Sequence, residues 1–172
     1  MIVGIPRFLN REELMATLNV HIVKLQPIRI ASAYAFGEQP EDRAWQKMVA
    51  WAKPKGLIED FTARAVFGFN NPYPTAETPL YGYEFWVEVG RDMVPDGDIR
   101  INEFFGGPYA VARCEAKGHP EKNIPETWQQ LAAWCKVNNH PLGYHHALEK
   151  FLTCPDDVNQ LVMDLYCPIL LQ

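Results

Sequence analysis

The sequence predicts an α+β fold of two similar β-α-β-β units related by a pseudo-twofold axis. Two main helices would pack on a mostly antiparallel, curved sheet, with a central cleft between the halves. Three observations carry this expectation. A helical segment with two tryptophans six residues apart occurs twice, and Trp128, Leu131, Trp134 and Cys135 repeat the spacing of Trp45, Met48, Trp51 and Ala52. Each helix follows a long extended segment and a turn, Gly37-Glu38-Gln39-Pro40-Glu41 in the first half and Gly118-His119-Pro120-Glu121 in the second. A Glu-x-aromatic strand pattern also occurs twice, as Glu84-Phe85-Trp86 and Glu149-Lys150-Phe151.

The bulk properties suit such a domain. At 172 residues the chain is long enough for one domain, which at this size buries roughly 70% of its unfolded surface. Apolar residues make up 48% and charged residues 22%, and the 14 prolines punctuate elements rather than form a low-complexity tract. A formal net charge of -5 with scattered Lys and Arg leaves no basic stripe for phosphates, so direct nucleic-acid binding is not expected. No apolar run approaches the roughly 20 residues of a membrane span, and no signal-peptide core is present, which points to a cytoplasmic protein. Cys114, Cys135, Cys154 and Cys167 contain no CxxC pair and read as free thiols. The spacing of His140, His145 and His146 fits no metal signature, so neither metal nor cofactor is expected.

In chain order, residues 1–19 form an N-terminal extension with a short helical candidate at Asn10–Ala16, capped by Asn10. Residues 20–172 form the single domain, with units at about 20–92 and 97–170. Val20 to Phe36 is strand-like through Pro27, and Ala31, Ala33 and Ala35 make a small-residue face on which a helix can lie close. The first helix shows the stripe Ala44, Trp45, Met48, Trp51, Ala52, opens on proline and acids, and closes at Pro54 and Gly56. Ala63 to Phe69 is a strand, Asn70 to Thr75 an irregular loop, and Tyr81 to Val89 a strand. The second half repeats this order with Ile99 to Ala116, the helix through Trp134, Tyr144 to Leu152 and Leu161 to Tyr166.

Alternation along Tyr81–Val89 puts Tyr81, Tyr83, Phe85, Val87 and Val89 on one face and Gly82, Glu84, Trp86 and Glu88 on the other. If the helices cover the apolar faces, Glu84, Trp86, Glu149 and Phe151 line the cleft. Carboxylates among rings suit an organic cation, which gains both an ion pair and attraction to ring faces. Glu84 could instead pair across the sheet with Arg29 or Arg113. Tyr34, Phe36, Tyr109 and Tyr144 are candidates for further aromatic wall, whereas the four helix tryptophans read as core.

The turn, the paired-Trp helices, the Asn71-Pro72 loop, the Tyr81-Gly82-Tyr83-Glu84-Phe85-Trp86-Val87 strand and Glu149-Lys150-Phe151 together resemble the GyrI-like small-molecule-binding family. This is the effector-binding domain also found at the C-terminus of AraC-type and MerR-type multidrug regulators. The resemblance covers about residues 20 to 170. It implies the SOUL or gyrase-inhibitor-like fold, with a cleft whose glutamate, here Glu149, meets cationic and often aromatic drugs. Phe151 stands where a tyrosine is common, which removes a hydroxyl. The resemblance further implies a binding protein standing alone, without the regulators' helix-turn-helix segment.

The leading functional expectation is therefore a receptor for hydrophobic or cationic small molecules. One alternative is a hydrolase of cyclopropane-bearing natural products, which some proteins resembling this one are, with Glu149 or Glu84 activating water. The other is a gyrase-inhibitor-like interaction protein.

Overall fold

A computed structural model describes residues 18–171. The helix expected at Asn10–Ala16 lies outside them. Eight strands and two helices follow one another as β1 (Val20–Leu25), β2 (Ile28–Gly37), α1 (Glu41–Ala52), β3 (Val66–Asn70), β4 (Tyr81–Glu88), β5 (Arg100–Phe104), β6 (Gly107–Glu115), α2 (Pro120–Val137), β7 (Leu148–Phe151) and β8 (Val162–Pro168). Both units have the expected order.

All strands join one antiparallel sheet in the order β1-β6-β8-β7-β3-β4-β2-β5. The pseudo-twofold relation is visible in that order, since β3-β4-β2 of the first unit mirrors β7-β8-β6 of the second about the central β3-β7 pair. The outermost strands are exchanged: β1 precedes the first unit but pairs with β6, and β5 precedes the second but pairs with β2.

Chain geometry forces the sheet to curl. In a flat sheet β1 and β2 would lie six strand spacings apart, about 29 Å. Leu25 and Ile28 are three residues apart, a reach of at most about 11 Å. The two edges must therefore approach, giving a half-barrel. Val23 and Leu25 of β1 and Phe104 of β5 pack on one buried cluster containing Ile30, Phe67, Trp86, Tyr109 and Tyr166, which fills the inside of the curl.

The helices cover the other face. Ala31, Ala33 and Ala35 are buried with Ala44, Trp45 and Met48 of α1, so the small-residue face of β2 does admit a close helix. Beyond Ser32, β2 has no β5 partner, and α1 caps that edge: Lys47 Nζ donates to Tyr34 O at 3.0 Å and an Arg43 guanidinium nitrogen to Phe36 O at 3.0 Å. A 3-10 turn, Lys53–Lys55, and Gly56 at φ 64° end α1. The cysteines are free, with Cys114, Cys135 and Cys167 buried.

Two expectations are corrected. The face of β4 carrying Glu84 and Trp86 does not adjoin the cleft between the helices, because it lies on the opposite side of the sheet: Trp86 packs inside the curl at 7% exposure and Glu84 lines a separate cavity. The two Glu-x-aromatic strands are also not counterparts: Glu84 lies in β4, whose symmetry mate is β8, whereas Glu149 lies in β7, the mate of β3.

Candidate ligand-binding site

The register of the central strands builds the site. Gly68 of β3 is paired with Phe85 of β4 on one side and Glu149 of β7 on the other. Cross-strand neighbours share a face, so Glu149 faces the helices together with Phe151, Phe85 and Tyr83. Gly68 is required there, since a Cβ would collide with the Tyr83 hydroxyl and reach Phe151 Cε2 at 2.9 Å. The missing side chain lets Tyr83 lie over the strand and donate from Oη to Glu149 Oε2 at 2.6 Å. From α2, Trp128 Nε1 donates to Glu149 Oε1 at 3.2 Å.

Above this floor a cleft of about 560 Å3 opens between the N-terminal turns of the two helices. Rings form its apolar surface: Phe85 lies with its centroid 4.9 Å from Trp45, 5.1 Å from Tyr83 and 5.4 Å from Phe151. The charged residues lining it are Glu41, Asp42, Glu121, Glu149 and Asp156, and no lysine, arginine or histidine is among the described lining residues. Tyr81 donates to both Glu41 oxygens, at 2.8 and 3.0 Å, and burial with this contact pushes its pKa up to about 12.

Burial moves the Glu149 carboxyl above the ordinary carboxylate range, while the Tyr83 and Trp128 hydrogen bonds pull the other way and nearby Glu41 adds to the rise. Its hydroxyl partner Tyr83 is raised well above its usual value by burial and by Glu149. A second cavity of about 380 Å3, lined by Phe69, Tyr73, Trp128 and Ala147 among others, abuts the first at Glu149.

The sequence-derived candidates separate. Glu149 and Phe151 line the cleft, whereas Glu84, Trp86, Tyr34, Phe36 and Tyr109 belong to the opposite face of the sheet. Glu84 pairs with neither expected arginine: Arg29 bonds Glu103 and Arg113 bonds Asp164. Instead it accepts from Ser32 Oγ at 3.0 Å, Asn71 Nδ2 at 3.1 Å and Trp86 Nε1 at 2.7 Å, a satisfied polar cluster beside a separate cavity of about 290 Å3 that Tyr34 also lines. Tyr109 is fully buried, its hydroxyl spent on His146 O at 3.0 Å. Phe36 is half-exposed. Tyr144 precedes β7, which begins only at Leu148, and is 93% exposed.

Sequence reasoning missed Tyr83, Trp128 and Gly68. The strand period places Tyr83 in the core and the helix stripe does the same for Trp128, and the signal for both, a glycine opposite the site glutamate, needs the strand register to be read. Among the described residues, no group of three or more His, Cys, Asp or Glu is placed to hold a metal ion, and no helix is long and apolar enough to cross a membrane.

A family model of integron-associated effector-binding proteins, Cass2, matches residues 21–169. The chain belongs to the Cass2 family. Solved structures agree on a GyrI-like effector-binding fold. The Cass2 integron cassette protein of Vibrio cholerae superposes with a TM-score of 0.58 at 10% identity, over 88% of this chain and 95% of that one. EcmrR, in its complex with DNA, gives a TM-score of 0.69 at 11% identity over 92% of this chain, which spans 60% of the EcmrR chain. SAV2435, solved with bound tetraphenylphosphonium, gives 0.53 at 9% identity over 88% of this chain and 94% of that one. No curated protein sequence matches the chain. Membership of Cass2 makes small-molecule binding the coarse function of the fold.

Proposed function

We propose that this Cass2-family chain binds hydrophobic organic cations in the cleft between α1 and α2, with Glu149 as the counter-charge and Tyr83, Phe85, Phe151 and Trp45 as the aromatic walls. The observation that carries this reading is the lining itself, in which every charged side chain is a carboxylate and the floor is made of rings. A cation entering such a site gains Coulomb attraction in a reduced dielectric and attraction to ring faces, both of which a neutral ligand forgoes. An anion would meet five carboxylates. The cation bound by SAV2435, a neighbour of the same fold, is consistent with this chemistry.

The test is calorimetric titration with an aromatic quaternary cation at several pH values. Cation binding favours ionised Glu149, whose carboxyl starts above its ordinary range, so affinity falls as pH drops through that raised value. Glu149→Gln weakens binding by roughly tenfold to a hundredfold and flattens the pH profile. Unchanged affinity in the variant would remove Glu149 from the mechanism.

A second reading, hydrolysis with Glu149 as the base that activates water, is favoured by the same raised carboxyl, which brings a base closer to neutrality. Turnover of a strained cyclopropane substrate by wild type and its loss in Glu149→Gln would select it. Binding without product would select the receptor.

A further inference from the structure

The cleft and the smaller cavity share one wall. Asn70, Ile124, Pro125 and Glu149 line both. The carboxylate in that wall is held from each side: Tyr83, which lines only the larger cleft, donates to Oε2, and Trp128, which lines only the smaller cavity, donates to Oε1. A group in either cavity can therefore approach an oxygen of the same carboxylate. Past the wall, Phe69, Tyr73 and Trp128 present rings and Ala147 leaves room, in about 380 Å3 where Glu149 is the sole charged residue among the described lining residues.

We propose that the smaller cavity is an aryl subsite of the cation site: the cationic centre rests against Glu149, and one aromatic arm of the ligand lies beyond it beside Trp128 and Tyr73. The inference builds on the cation reading above and narrows it to monocations bearing two or more aryl arms. A second cation is not the occupant, because the smaller cavity offers it no counter-charge beyond Glu149, which already faces the first. A ligand with a single ring fills one cavity and leaves the other empty. A ligand with two arms fills both and adds ring contacts at Trp128 and Tyr73 that cost it no further charge desolvation.

The experiment titrates the full chain with two probes of equal charge, phenyltrimethylammonium and tetraphenylphosphonium. Two variants alter only the smaller cavity: Tyr73→Ala removes a ring from an exposed loop, and Ala147→Leu fills space. Each is expected to weaken tetraphenylphosphonium about tenfold while phenyltrimethylammonium stays within twofold, which also reports an intact fold. Equal losses for both probes, or tetraphenylphosphonium within twofold of wild type in both variants, would overturn the subsite. If that happens while both probes still depend on Glu149, the subsite alone fails. If wild type binds neither probe, the cation reading fails and takes the subsite with it.

Discussion

Glu149 is subject to two opposed demands. Its seat among rings favours the neutral acid, whereas a cationic guest needs the carboxylate. The consequence for stability has a definite sign. With its folded pKa above the unfolded value, the native state binds the extra proton more tightly. Its contribution to stability is therefore fully present below the unfolded pKa and is lost as pH rises through the folded one. Chemical denaturation of the ligand-free protein across that range should show this loss in wild type and not in Glu149→Gln. Gly68 acts through its absence of atoms: Gly68→Ala should push Tyr83 off Glu149, cost about 1–3 kcal/mol and weaken cation binding, read from thermal unfolding and titration together. None of this was legible from the strand pattern. The carboxylate's place in the cleft lining was, because the resemblance puts a glutamate at position 149. Its two donors were not, because period alone labels both as core.

Among the elements, β2 and α1 show which sequence signals are sufficient. Three alanines at alternate positions mark a surface that only a close helix can use, and Ala44, Trp45 and Met48 occupy it. Ala33→Leu should lift α1 from β2 at a cost of about 1–3 kcal/mol, seen as a fall in melting temperature of several degrees for a chain of this size. The strand β4 shows where the same reasoning stops. Its alternation was correct, yet both faces are buried, one under helices and one inside the curl, so periodicity could not say which face adjoins the cleft. Tyr144 fails for a related reason. The apolar and aromatic run before β7 reads as strand, but the segment from 143 to 147 is irregular, and the ladder starts at Leu148.

For the molecule as a whole, the duplication was readable because tryptophan spacing survives in both helices, and it led directly to the paired units. The curl was not readable. It follows from the strand order, in which short links at Gln26-Pro27 and at Phe105-Gly106 must join strands on opposite sides of the sheet. The cleft inherits its position from this arrangement, since one helix of each unit supplies one lip.

The exchange of β1 and β5 between units has a consequence for autonomy. A polypeptide ending near residue 96 would keep β1 but lack β6 to receive it, and would expose β2 where β5 belongs. Neither half should hold native structure by itself, and scanning calorimetry of the intact chain should give one transition whose van't Hoff and calorimetric enthalpies agree. Co-expressed as separate polypeptides, the halves should reassemble, each lending the other its missing border.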